Sequence, residues 1–73
     1  MPKKTYAIHE LDCANCAAKM EAGIQKIDGV QSATINFLTQ KLTLEAEDDR
    51  FEAILDQAEA IVRKIEPDCV LVR

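Results

Sequence analysis

The sequence predicts an α+β fold: one four-stranded antiparallel sheet covered on a single face by two helices. Three observations carry that expectation. Apolar residues recur at three- and four-residue steps in two stretches, 16–26 and 51–65. Around them, apolar and polar residues alternate in the manner of half-buried strands. Polar or Pro/Gly breaks stand wherever the period changes: 12–15, Asp28-Gly29, 47–49 and Pro67.

The first strand is expected over 5–11, where Tyr6 and Ile8 alternate with Ala7 and His9. Asp12 to Asn15 is polar and reads as a loop. The first helix follows, with Ala17, Met20, Ile24 and Ile27 on its apolar stripe and Lys19, Glu21, Gln25 and Lys26 opposite. Asn15 is the expected N-cap and Gly29 the expected C-cap, with Val30 packing beyond it. Residues 30–37 alternate again, with Ala33, Ile35 and Phe37 on one face. Leu38 and Thr39 connect to a third strand at 41–46, where Leu42 and Leu44 face inward. The two strands read as a hairpin without an Asn-Gly turn.

Glu47-Asp48-Asp49 reads as a capping turn, with Asp49 and Glu52 spaced as a capping box. The second helix has the strongest periodicity in the chain: Phe51, Ile54, Leu55, Ala58, Ile61, Val62 and Ile65. Arg63 and Lys64 suit the negative end of its dipole. Pro67 stops it, and 69–72 forms a short last strand. The order βαββαβ is that of the ferredoxin-like sandwich. Strands one and four are short and are expected at the sheet edges. In this topology the loop after strand one and the loop after helix two share one end, which brings Glu66 and Pro67 towards residues 12–16.

The 73 residues read as one domain, 1–73, without repeat, linker or low-complexity tract. So short a chain buries only roughly 60% of its unfolded surface. Its core must be aliphatic, because Tyr6, Phe37 and Phe51 are its only aromatic residues. The net charge of −4 disfavours nucleic acid as a partner and favours cations or basic protein surfaces. No run of roughly 18 apolar residues is present to insert into a membrane. Met1-Pro2-Lys3-Lys4 lacks the apolar stretch of a signal peptide. Three cysteines are too few and too odd a set for a secreted disulfide scaffold, so the chain reads as reduced and cytosolic.

The most informative motif is Asp12-Cys13-Ala14-Asn15-Cys16, a loop that opens a helix. Thiolate is the metal-binding form of cysteine, and a helix N-terminus favours it. Two thiolates satisfy Cu(I) but leave it with excess negative charge, which a carboxylate would increase. They neutralise a divalent ion, and Zn(II) accepts a further oxygen ligand. Asp12 beside Cys13 and Cys16 therefore favours a divalent soft or borderline ion, with water, Glu66 or a partner's group as a fourth ligand. An incomplete ligand set suits a site that hands metal on.

Blander alternatives stand beside each of these roles. Cys13 and Cys16 are alternatively a redox dithiol or inert thiols, and Asp12 a helix cap. Cys69, in an apolar strand, is core unless it approaches the loop as an extra ligand. His9 reads as a strand-surface residue, Met20 as core, and Glu66 as a solvated carboxylate unless it closes the site.

The run Leu11-Asp12-Cys13-Ala14-Asn15-Cys16-Ala17, the Asp28-Gly29-Val30 turn and the strand Ala33-Thr34-Ile35-Asn36-Phe37 resemble a heavy-metal-associated domain over nearly the whole chain. Copper members of that family typically carry Met-Thr-Cys-x-x-Cys, where this chain has Leu11 and Asp12. Its Asp-Cys-x-x-Cys form and its Glu66-Pro67-Asp68 run look like the N-terminal domains of zinc-, cadmium- and lead-exporting P-type ATPases. The resemblance implies a cytoplasmic domain of a plasma-membrane protein, itself not catalytic. Its ligands would be Cys13 and Cys16 with Asp12 third, and Glu66 and Cys69 as weaker candidates. Its cargo would be Cd2+ or Zn2+, with Pb2+ after them. Its partners would be the transmembrane and cytosolic domains of an ATP-driven pump of metal resistance. A monomer is expected, with a metal-bridged dimer as the alternative. The competing functions are a free-standing metallochaperone, including a copper one, and a thiol–disulfide oxidoreductase.

Overall fold

The computed structural model describes residues 2–73. Its elements are β1 (Lys3–His9), α1 (Ala14–Gln25), β2 (Val30–Asn36), β3 (Lys41–Ala46), a 3-10 turn (Asp48–Arg50), α2 (Phe51–Ile65) and β4 (Val70–Val72). The strands form one antiparallel sheet in the order β2-β3-β1-β4. The βαββαβ order expected from periodicity is thus present.

Strand one is not an edge strand. The β1–α1–β2 crossover leaves a slot that β3 fills, and the β3–α2–β4 crossover leaves one that β1 fills. Topology therefore places β1 inside the sheet, paired with β3 through Tyr6↔Leu42 and with β4 through Ile8↔Leu71. The true edges are β2 and β4. The β2 edge is partly covered by α1: the Glu21 carboxylate accepts from the Ile35 N–H at 2.8 Å, and the Gln25 amide donates to the Ala33 carbonyl at 2.7 Å. Those groups would otherwise be free to pair with another strand.

The helix-facing side of the sheet presents Ile8, Ala33, Ile35, Leu42, Leu44 and Ala46 to Ala17, Met20 and Ile24 of α1 and to Phe51, Ile54, Leu55, Ala58 and Val62 of α2. Leu11 and Cys69, each 0% exposed, belong to the same cluster although they lie in connections. Among the described residues no polar or charged side chain is buried. The other side of the sheet carries Thr5, Thr34 and Thr43 in register, and His9 opposite Val70.

Several boundaries differ from the periodicity. The first strand runs 3–9, because Glu10 adopts a left-handed φ of 65° and turns the chain. The N-cap of α1 is Cys13, not Asn15, which lies within the first turn. Its C-cap is Lys26 rather than Gly29; Gly29 serves the following turn into β2 at φ 97°. No capping box forms at α2, since Asp48–Arg50 is a 3-10 turn and the cap residue Arg50 makes no side-chain cap. Arg50 instead bonds Asp28 at 3.2 Å and Glu47 at 3.3 Å, tying the α1–β2 turn to the start of α2. In place of Asn-Gly, the β2–β3 turn uses the Asn36 side-chain oxygen, which accepts from the N–H groups of Leu38 and Thr39 at 2.9 and 3.1 Å. Glu66 is extended, as a residue before proline is biased to be, and α2 stops at Ile65.

Candidate metal centre

Three connections meet at one end of the sheet. The β1–α1 loop lies beside the β2–β3 turn, where the Ile8 N–H donates to the Gln40 carbonyl at 2.8 Å and the Gln40 amide to the Leu11 carbonyl at 3.0 Å. On the other side, the Cys69 thiol donates to the Glu10 carbonyl at 3.3 Å. Buried Leu11 anchors the loop, so Asp12, next in line, emerges exposed at the surface.

Cys13 caps α1 through its sulfur, which accepts the Cys16 N–H at 3.2 Å, while its carbonyl accepts the Ala17 N–H at 3.0 Å. Both Cys13 and Cys16 are half-buried free thiols. The Cys16 sulfur lies 3.9 Å from Glu66 Oε2, an outer-limit contact. Glu66 is placed by the end of α2, its N–H donating to the Val62 carbonyl at 2.9 Å and its carbonyl accepting from the Cys69 N–H at 3.0 Å.

The two thiols have unequal acidity. The hydrogen bonds from the Cys16 side chain and backbone hold Cys13 below the usual thiol value. Cys16, the donor of that pair, is pushed up to about 11 by the Cys13 bond, then by burial and the charges of Cys13 and Glu66; Lys19 opposes this. A soft cation binding both sulfurs must therefore displace the proton that Cys16 holds. Burial pushes the Cys69 thiol up, followed by the charges of Glu66, Asp12, Asp68 and Glu10.

Asp12 faces Glu66 across an open cleft of about 480 Å³ lined by Glu10, Asp12, Glu66 and Asp68. Four carboxylates at one mouth raise the local concentration of cations. The structure brings Cys16 to Glu66 as the sequence expected. It places Asp12 in the cleft, and among the described residues no three His, Cys, Asp or Glu side chains converge tightly enough to hold an ion. Cys69 is enclosed beneath the loop, and His9 is exposed opposite Val70 on the uncovered side of the sheet. Sequence reasoning gave no site role to Glu10, Asp68 or Gln40. The two acids stand beside or within recognised runs and were legible there; Gln40 reaches Leu11 across 29 positions and left no local signal.

The heavy-metal-associated domain model matches residues 5–70. The chain is 34% identical over 65 residues to the cadmium, zinc and cobalt-transporting ATPase of Bacillus subtilis, covering 89% of this chain and 9% of that protein. It is 44% identical over 55 residues to the corresponding ATPase of Helicobacter pylori, covering 74% of this chain and 8% of that protein. The chain therefore spans under a tenth of the length of these curated relatives. Among solved structures, the N-terminal domain of a potential copper-translocating P-type ATPase from Bacillus subtilis, Cu(I)-loaded, superposes with a TM-score of 0.76 at 30% identity, covering 96% of this chain and 82% of that one. The N-terminal domain of ZntA in its Zn(II) form superposes with a TM-score of 0.71 at 28% identity, covering 94% and 86%. With the family pattern matched across 5–70 and the βαββαβ sandwich in place, this chain belongs to the heavy-metal-associated domain family.

Proposed function

We propose that this chain binds one divalent soft metal ion through Cys13 and Cys16 with Asp12 as third ligand, and delivers it to a P-type ATPase or adjusts that pump's rate. The observation that carries the reading is the Cys13 sulfur capping α1 over the Cys16 N–H, beside a cleft lined by Asp12 and Glu66. A soft cation displacing the Cys16 proton would meet two sulfurs and, after a small loop movement, a carboxylate. Cadmium and zinc are the preferred ions and lead follows; the names of the Bacillus subtilis and Helicobacter pylori relatives support cadmium and zinc. Glu66 is the leading candidate for a fourth ligand, with Cys69 behind it because it is enclosed.

The whole stretch 1–73 is read as one domain, on the cytoplasmic side of a plasma-membrane pump whose transmembrane and cytosolic domains are its partners. No helix among the described residues is long and apolar enough to cross a membrane. The chain alone performs no catalysis in this reading; its parent is an ATP-driven metal-resistance pump, and the domain works as a monomer.

A second reading, a copper-handling domain or free-standing metallochaperone, draws on the likeness to the Cu(I)-loaded structure. Titrating Cd(II), Zn(II), Pb(II) and Cu(I) into reduced protein separates the two. The divalent reading expects Cys13→Ser and Cys16→Ser to abolish binding, and Asp12→Ala to weaken Cd(II) and Zn(II) while sparing Cu(I). Unchanged Cd(II) and Zn(II) affinity in Asp12→Ala sinks the third-ligand role.

A further inference from the structure

The two carbonyl groups directly ahead of Asp12 are each held by a side chain from another loop. Cys69 donates its thiol proton to the Glu10 carbonyl at 3.3 Å, and Gln40 donates an amide proton to the Leu11 carbonyl at 3.0 Å. Gln40 is itself well placed to do this. Its own carbonyl accepts from the Ile8 N–H at 2.8 Å, so the turn that carries it is fastened to β1 three residues before the point it grips. Its φ of 55° is a conformation that glycine or asparagine adopts more readily, yet a side chain long enough to reach Leu11 occupies the position.

The peptide unit between Leu11 and Asp12 is planar, so holding its oxygen orients the whole plane, including the Asp12 nitrogen. The Leu11 side chain is fully enclosed and fixes where that plane sits. The carbonyl contact fixes how it is turned about the chain. Beyond it, only the backbone angles of Asp12 and the φ and χ1 of Cys13 separate this plane from the sulfur that caps α1. We infer that Gln40, with Cys69 as a second point, is a positioning residue that sets the Leu11–Asp12 peptide plane and so aims Asp12 and Cys13 at an arriving ion. The inference rests on the metal reading above. Preorganising a loop in this way removes part of the ordering cost of binding.

The test uses the full chain with Gln40→Gly, which removes the amide and relaxes the left-handed backbone, and Gln40→Lys, which restores a donor. Amide hydrogen exchange at Cys16 and Ala17 is followed without metal, because both N–H groups are held by Cys13. Cd2+ affinity and the thermal midpoint are measured alongside. In Gln40→Gly, exchange at these two amides is expected to speed about tenfold and Cd2+ affinity to fall by about threefold to tenfold, with the midpoint unchanged or raised. Gln40→Lys is expected to recover the exchange protection. Unchanged exchange or unchanged affinity in Gln40→Gly overturns the inference. So does loss of both in step with a lower midpoint, or no recovery with lysine. If the unaltered chain fails to take up Cd2+, the metal reading falls, and the metal-free exchange still decides whether Gln40 positions the loop.

Discussion

The Cys16 N–H points at the Cys13 sulfur across 3.2 Å, and the residue that caps α1 is the more acidic of the two thiols, lowered first by the Cys16 side chain and then by this N–H. A helix N-terminus leaves amide hydrogens without partners, and here a sulfur takes one of them. The same contact that starts the helix therefore prepares a thiolate at the mouth of an acidic cleft.

Thiol chemistry reports this inequality. Cys13 keeps its thiolate to lower pH than an ordinary cysteine, whereas Cys16 titrates at about 11. Iodoacetamide at neutral pH is expected to label Cys13 first, Cys16 slowly, and enclosed Cys69 only after unfolding. Peptide mass spectrometry across a pH series reads the order, and preferential labelling of Cys16 would count against the cap geometry.

Metal uptake should release protons. Because Cys16 is protonated at neutral pH, binding through both sulfurs displaces at least its proton, so affinity rises with pH. One released proton corresponds to a gain of about tenfold per pH unit. Calorimetry in buffers of different ionisation enthalpy counts the protons; a pH-independent affinity between pH 6 and about pH 8 would mean that Cys16 is not a ligand.

Stability depends on Gly29. Its φ of 97° excludes most side chains, and an added Cβ would lie 3.0 Å from Ile54 in the core. Gly29→Ala is expected to cost about 1–3 kcal/mol, lowering the thermal midpoint by several degrees or more in a chain of this size. Metal affinity should be unaltered while the variant remains folded, since Gly29 lies in the turn between α1 and β2, outside the metal loop. Circular dichroism melts and a Cd(II) titration together check both halves.

The core and the site share Leu11. Leu11→Ala empties a fully enclosed position beside Asp12 and is expected to cost about 2–5 kcal/mol. That is a large share of a small domain's stability. Saturating Cd(II) should raise its melting midpoint above that in metal-free buffer, because an ion bound only to the folded chain stabilises it.

Helix and strand positions were legible because the 3.6- and two-residue periods of α2 and β3 carry the core directly: Ile54, Leu55, Ala58 and Val62, and Leu42 with Leu44. The cysteine pair was legible from its spacing. What stayed hidden depends on partners distant in the chain. Cys13 displaced Asn15 as the cap because α1 begins two residues earlier than the periodicity suggests, just beyond enclosed Leu11. The Asp49–Glu52 spacing looked like a cap, but Arg50 bridging to Asp28 accompanies a 3-10 turn instead. The interior place of β1 follows from two crossovers and not from the length of its own strand.

X-ray absorption at the cadmium edge of a one-to-one complex tests the proposed ligand set most directly. Two sulfur neighbours are expected, from Cys13 and Cys16, completed by oxygen, with the oxygen contribution reduced in Asp12→Ala. A sulfur-free environment, four or more sulfurs, or an oxygen signal indifferent to Asp12→Ala would contradict a site built from Asp12, Cys13 and Cys16, and a third sulfur would give the fourth place to Cys69 rather than Glu66.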